Sequence, residues 1–122
     1  MELLLSCTNE GPVTIVDVQG DIDALSAPAL QERLEMYVAA GQRHLVLDLS
    51  GVPFMDSTGL GVLVGVLRLA RAHGGSMRLV APSERVLRIM AITGLDEIFE
   101  TAPSRDDAVS ATRSQDSRTL DD

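Results

Sequence analysis

Polar and apolar positions change period several times along the chain. Leu3 to Thr8 reads as a short strand, and Asn9-Glu10-Gly11 as a turn. Val13 to Val18 alternates, with Val13, Ile15 and Asp17 on one face and Thr14, Val16 and Val18 on the other. The close spacing predicts an antiparallel hairpin that ends at Gly20. Apolar residues then recur at Ala27, Leu30, Leu34, Tyr37 and Val38, the period of a helix. Ser26 offers this helix a side-chain cap, Pro28 fits its first turn, and Gly41 stops it. Within His44 to Leu49, "LVLDL" is nearly continuous, as in a strand covered on both faces, and Gly51 and Pro53 close it. Thr58 to His73 is helical again, with Leu60, Leu63, Val64, Leu67 and Ala70 on one side and Gly74-Gly75 at its end. Met77 to Ala81 is a short strand. Ser83 and Glu84 open a helix through Val86, Leu87, Met90 and Ala91, which Thr93-Gly94 ends. Ile98-Phe99 is expected as a last short edge strand, and Ser104 with Asp106 and Asp107 as the start of a short helix. From Thr112 the chain is polar with mixed charge. The pattern therefore predicts one domain over residues 1–111 and a disordered tail over 112–122.

The order β-β-α-β-α-β-α-β-α belongs to the α/β class. It predicts a mostly parallel sheet of four or five strands, an antiparallel N-terminal strand and about four helices. Strands separated by helices pair in parallel through right-handed crossovers. The loop with Asp21 and Asp23 and the loop with Asp56 and Ser57 each follow a strand of the parallel set. Both are thus expected at the strands' carboxyl end, where such sheets place ligands and partners.

The composition narrows the chemistry. The chain has 122 residues, 45% hydrophobic and 2% aromatic, so its core must be aliphatic. Its formal charge of −8 repels nucleic-acid phosphates, and Tyr37, Phe54 and Phe99 give too few rings for a base-stacking platform. No apolar run reaches a membrane-spanning length, and the N-terminus, with Glu2, does not read as a signal peptide. The single cysteine, Cys7, fits a reducing cytoplasm and reads as a small buried hydrophobe on a strand. His44 and His73 lie on different elements and form no metal-ligand pair, so no metal is expected.

Chemistry concentrates in "FMDSTGLG", residues 54–61. It is not a nucleophile elbow, and nothing nominates a histidine base for Ser57. Gly59, Gly61 and Gly65 form neither a dinucleotide fingerprint nor a phosphate loop, so no cofactor is expected. The spacing of Gly61 and Gly65 instead suggests a helix lying close to the sheet. Asp56 or Ser57 can cap the helix that begins near Thr58, worth about 1 kcal/mol. A serine at a helix N-terminus also stands in a partial positive field that tolerates an added phosphate.

The segments "GDIDALSAP" (20–28), "LVLDLSGVPFMDSTGLGVLVG" (45–65), "GGSMRLVAPSERVLRIMAITGLDEIFE" (74–100) and "SRDDAVSA" (104–111) resemble the STAS-domain family, in particular the bacterial anti-sigma factor antagonists. The resemblance spans about residues 3–111 and implies the STAS fold. It implies a phosphorylation-switched binding module, not an enzyme. The unphosphorylated form binds an anti-sigma factor that is also a serine kinase, and so frees the sigma factor. Phosphorylation at the position of Ser57 releases it, and a PP2C-type phosphatase restores it. Asp21, Asp23, Ser26, Asp56, Thr58 and Gly59 match the partner-binding surface. A second reading, a STAS scaffold or regulatory subunit of another signalling or lipid-transport complex, stays open.

Overall fold

The computed structural model describes residues 3–121, with side chains over 3–115. The elements are β1 (Leu4–Glu10), β2 (Val13–Gln19), α1 (Ala27–Ala39), β3 (His44–Gly51), α2 (Ser57–Ala72), β4 (Ser76–Val80), α3 (Glu84–Thr93), a 3-10 turn (Leu95–Glu97), β5 (Glu100–Ala102) and α4 (Arg105–Asp121). The strands form one five-stranded sheet in the order β1-β2-β3-β4-β5. β1 pairs with β2 antiparallel, and the remaining pairings are parallel. This is the mostly parallel sheet with an antiparallel N-terminal strand that the pattern predicts.

Period-two alternation sorts the central strands between two layers. Val16, Val18, Leu45, Leu47, Leu49, Met77 and Leu79 pack with Leu30, Leu34, Leu60, Leu63, Leu67, Val86 and Met90 of α1, α2 and α3 in the main core. Val13, Ile15, Val46 and Val80 face Ala108 and Val109 of α4 in a smaller one. The first six residues of β3 are buried, as its apolar run requires. Within α2, Val66 is buried and Val64 only half-buried, so the stripe is turned slightly from the predicted one.

Cys7, expected to be buried, is exposed on β1, and four further local expectations are corrected. The hairpin turn is Gly11-Pro12 rather than Asn9 to Gly11, because Glu10 still pairs with Val13. Gly11 takes φ +58°, a conformation that suits glycine. The last edge strand is Glu100–Ala102, not Ile98-Phe99. Phe99, 5% exposed, instead plugs the main core, and its N–H donates to the Leu95 carbonyl at the end of the 3-10 turn.

The third correction concerns the glycines of α2. A Cβ at Gly61 or Gly65 would meet open space. Gly59 is the one against its neighbours: a Cβ there would lie 2.6 Å from Ile22 Cγ2 and 2.8 Å from Met55 Cγ.

The fourth concerns the tail. α4 runs through the segment expected to be disordered, and Thr112, where that tail was to begin, is fully buried. Buried Arg78 on β4 donates to Thr112 Oγ1 at 3.1 Å and to Gln115 Oε1 at 2.9 Å. Arg105 binds Asp48 and lies 3.3 Å from Asp17, both on the sheet. Thr112 and Gln115, from the polar segment that suggested disorder, thus meet a buried arginine of the sheet. Asp122 lies outside the described residues.

Candidate functional site

The loop after β2 and the loop after β3 are stitched together beyond the ends of their strands. Gly20 N–H donates to the Gly51 carbonyl at 3.0 Å, and Ile22 N–H to the Phe54 carbonyl at 3.0 Å. Asp56 N–H returns a bond to the Ile22 carbonyl at 3.1 Å, making a parallel bridge between Ile22 and Met55. Ile22 and Met55 are both buried in the main core. They hold the polar residues on either side, Asp21 and Asp23 in one loop and Asp56 in the other, on one rim. Neither apolar residue was singled out from the sequence. Ile22, alone between Asp21 and Asp23, carries the signal of a loop residue that plugs inward, whereas Met55 follows Phe54 and carries none.

Asp56 is the N-cap of α2. Its backbone is extended (φ −98°, ψ −175°), and its Oδ1 accepts from Gly59 N–H at 3.1 Å. The cap expected of this segment therefore falls to Asp56, and the helix starts at Ser57. Ser57 and Thr58 are exposed on its first turn. Gly59 is buried beneath them, against Ile22 and Met55. Its lack of a side chain lets the first turn of α2 seat on the bridge.

The Asp21–Ser26 loop is held by side chains. Asp23 Oδ1 accepts from the N–H groups of Leu25 and Ser26, each at 3.0 Å. Ser26 occupies the N-cap position of α1, but its hydroxyl does not cap that helix. Its Oγ donates to the Asp21 carbonyl at 2.8 Å and accepts from Asp23 N–H at 3.0 Å. The Ser26 N–H bond, joined by that from Leu25, outweighs the opposing desolvation and holds the Asp23 carboxyl below the usual carboxylate range. The carboxylate is therefore ionised at neutral pH, with its loop fixed around it. Both histidines make local bonds away from this rim. His44 Nδ1 lies 3.0 Å from Ser76 Oγ, and His73 Nδ1 lies 2.9 Å from the Leu69 carbonyl.

The rim combines an exposed serine hydroxyl at a helix N-terminus with three nearby carboxylates. It offers no nucleophile-base pair. It presents carboxylates and an exposed hydroxyl on one surface.

Comparison with known proteins agrees with this architecture. The STAS domain family model matches residues 6–108. An anti-sigma-B factor antagonist of Bacillus subtilis is 40% identical over 94 residues, covering 77% of this chain and 85% of the relative. A solved structure of an anti-sigma factor antagonist from Mycobacterium paratuberculosis superposes with a TM-score of 0.82 at 34% identity, over 91% of this chain and 94% of that one. The Bacillus cell fate determinant SpoIIAA in its phosphorylated form shares the fold, with a TM-score of 0.69 at 19% identity over 89% of this chain and 97% of that one.

Proposed function

The chain belongs to the STAS-domain family, and from that premise we propose that it is an anti-sigma factor antagonist switched by phosphorylation at Ser57. The observation that carries this reading is the placement of Ser57, exposed on the first turn of α2 and tied through the Ile22–Met55 bridge to the acidic loop of Asp21 and Asp23. The unphosphorylated protein binds an anti-sigma factor that is also a serine kinase, and the sigma factor is freed.

In the transfer step the Ser57 oxygen attacks the γ-phosphorus of ATP. The new Oγ–P bond forms, the bond to the β-phosphate oxygen breaks, and ADP leaves. ATP, Mg²⁺ and the base that takes the hydroxyl proton belong to the kinase. The product carries about −1.5 to −2 charges at Ser57. Backbone N–H groups at the start of α2 tolerate that charge, so the domain keeps its fold. A closely packed partner does not tolerate it. The phosphate lies beside Asp56 and on the rim of Asp21 and Asp23, where a partner selected to meet hydroxyl and carboxylates must now desolvate a dianion. A PP2C-type phosphatase hydrolyses the phosphoserine and restores binding. Asp21, Asp23, Ser26, Asp56 and Thr58 form or brace the face that the partner meets, and Gly59 seats it from below.

Intact-mass measurement tests the acceptor. Incubation with ATP and the cognate anti-sigma kinase adds one phosphate, which fragmentation locates at Ser57, and Ser57→Ala gains none. Full phosphorylation of Ser57→Ala overturns the assignment.

A further inference from the structure

The face around Ser57 continues onto α3, and there its charge changes sign. Pro53, in the segment that leads to Ser57, lines an open depression of about 350 Å³ with Ser83, Glu84, Arg85 and Arg88. Because β3 and β4 are parallel, the β4–α3 connection emerges at the same end of the sheet as the acidic loops. Both arginines are exposed. The ion pairs of the structure involve Arg78, Arg105 and Arg113, and neither Arg85 nor Arg88 is paired among the described residues.

Helix stability does not account for Arg85. It is the second residue of α3, where the helix dipole disfavours a cation. The N-terminus of α3 is already served by the Ser83 side chain, which accepts from Val86 N–H at 3.2 Å, and by Glu84. Two unpaired guanidinium groups on the switch end of a chain of net charge −8 make that end two-signed, with Asp21, Asp23 and Asp56 at its acidic part. A two-signed face steers a partner and admits it in one orientation, because the reversed orientation sets like charges together.

We propose that Arg85 and Arg88 extend the docking face, and that the anti-sigma factor presents carboxylates to them while presenting cations to Asp21 and Asp23. Ser57 then lies between the two charged contacts, in a fixed orientation toward the kinase. This rests on the anti-sigma reading above and names the surface chemistry of its partner.

The test is the binding of the full chain to its anti-sigma factor by surface plasmon resonance across a salt series. Arg85→Glu with Arg88→Glu raises Kd on the order of ten-fold, mainly by slowing association, and flattens the salt dependence. Arg85→Lys with Arg88→Lys keeps most of the affinity. The melting temperature of each variant is read beside its Kd, since Arg88→Glu sets a carboxylate one helical turn from Glu84. Wild-type Kd and salt dependence in the reversed variant overturn this proposal alone. A loss of binding explained by a lowered melting temperature overturns it too. If the wild type itself fails to bind, the anti-sigma reading falls first and this proposal with it.

Discussion

Gly59 shows how one residue positions the start of α2. The helix start that presents Ser57 can rest on the Ile22–Met55 bridge only because position 59 has no Cβ. A methyl placed there would sit 3.1 Å from the Ile22 carbonyl and closer still to both side chains. Ile22 and Met55 are locked in the core, so the strain cannot be relieved by a surface rotamer. Gly59→Ala should therefore destabilise the domain by about 1–3 kcal/mol through overpacking. Gly61→Ala, whose added methyl meets open space, should be neutral or slightly stabilising through helix propensity. Chemical denaturation of the two variants checks the contrast. A Gly59→Ala protein as stable as the wild type would show that α2 can shift at no cost. Spacing drew attention to Gly61 and Gly65 in the sequence. Only three-dimensional packing shows that the glycine beside the polar motif is the confined one.

Among the elements, α4 has the most to explain. Its apolar contribution is small, with Ala108 and Val109 against four strand residues, and charged groups supply much of its attachment. Asp48, 6% exposed, is opposed by burial, but its bonds from Ser50 and Arg105 prevail and lower its pKa from 3.8. A lowered folded-state pKa stabilises the protein above the unfolded value. That contribution is lost as pH falls through the still lower folded value, below about pH 4. Arg105→Ala should remove the arginine's share of this support and leave the Ser50 bonds. Arg105 is itself 42% exposed, so solvent screening cuts the loss below that of a fully buried pair, to about 1–2 kcal/mol. Thermal melts from pH 7 down to pH 3 check this. The gap between wild type and variant should be widest at neutral pH and close in acid, and a gap that widens in acid would contradict the assignment.

The same element marks the limit of sequence reading. α1, α2 and α3 were legible because each carries an apolar stripe that faces an apolar sheet. α4 from Thr112 on was not, because Thr112 and Gln115 are held by Arg78 on β4. A polar helix looks like a tail until a buried arginine is seen to receive it. The β5 shift has a similar origin, since Phe99 announced burial but not whether a strand or a turn would bury it. The site fared better. Asp56 and Ser57 sit where the helix start was expected, and the predicted common end for the two loops is realised as a backbone bridge. Ser26 alone changed its local role, bracing the Asp21 and Asp23 backbone instead of capping α1.

At the scale of the whole molecule, the proposed charge switch rests on the backbone tie between the two loops. One continuous sheet carries both loops, and the bridge between them fixes the acidic rim relative to Ser57. The proposed switch needs no hinge, because the phosphate would stand on a rim that the bridge already ties together. In that proposal a dianion added at Ser57 changes affinity directly, through desolvation and like-charge repulsion. The most direct test is the Kd for the anti-sigma factor measured with unphosphorylated protein and with protein stoichiometrically phosphorylated at Ser57. The account predicts a loss on the order of 10³-fold, about 4 kcal/mol, with an unchanged fold by circular dichroism. Equal affinity of the two forms would contradict it.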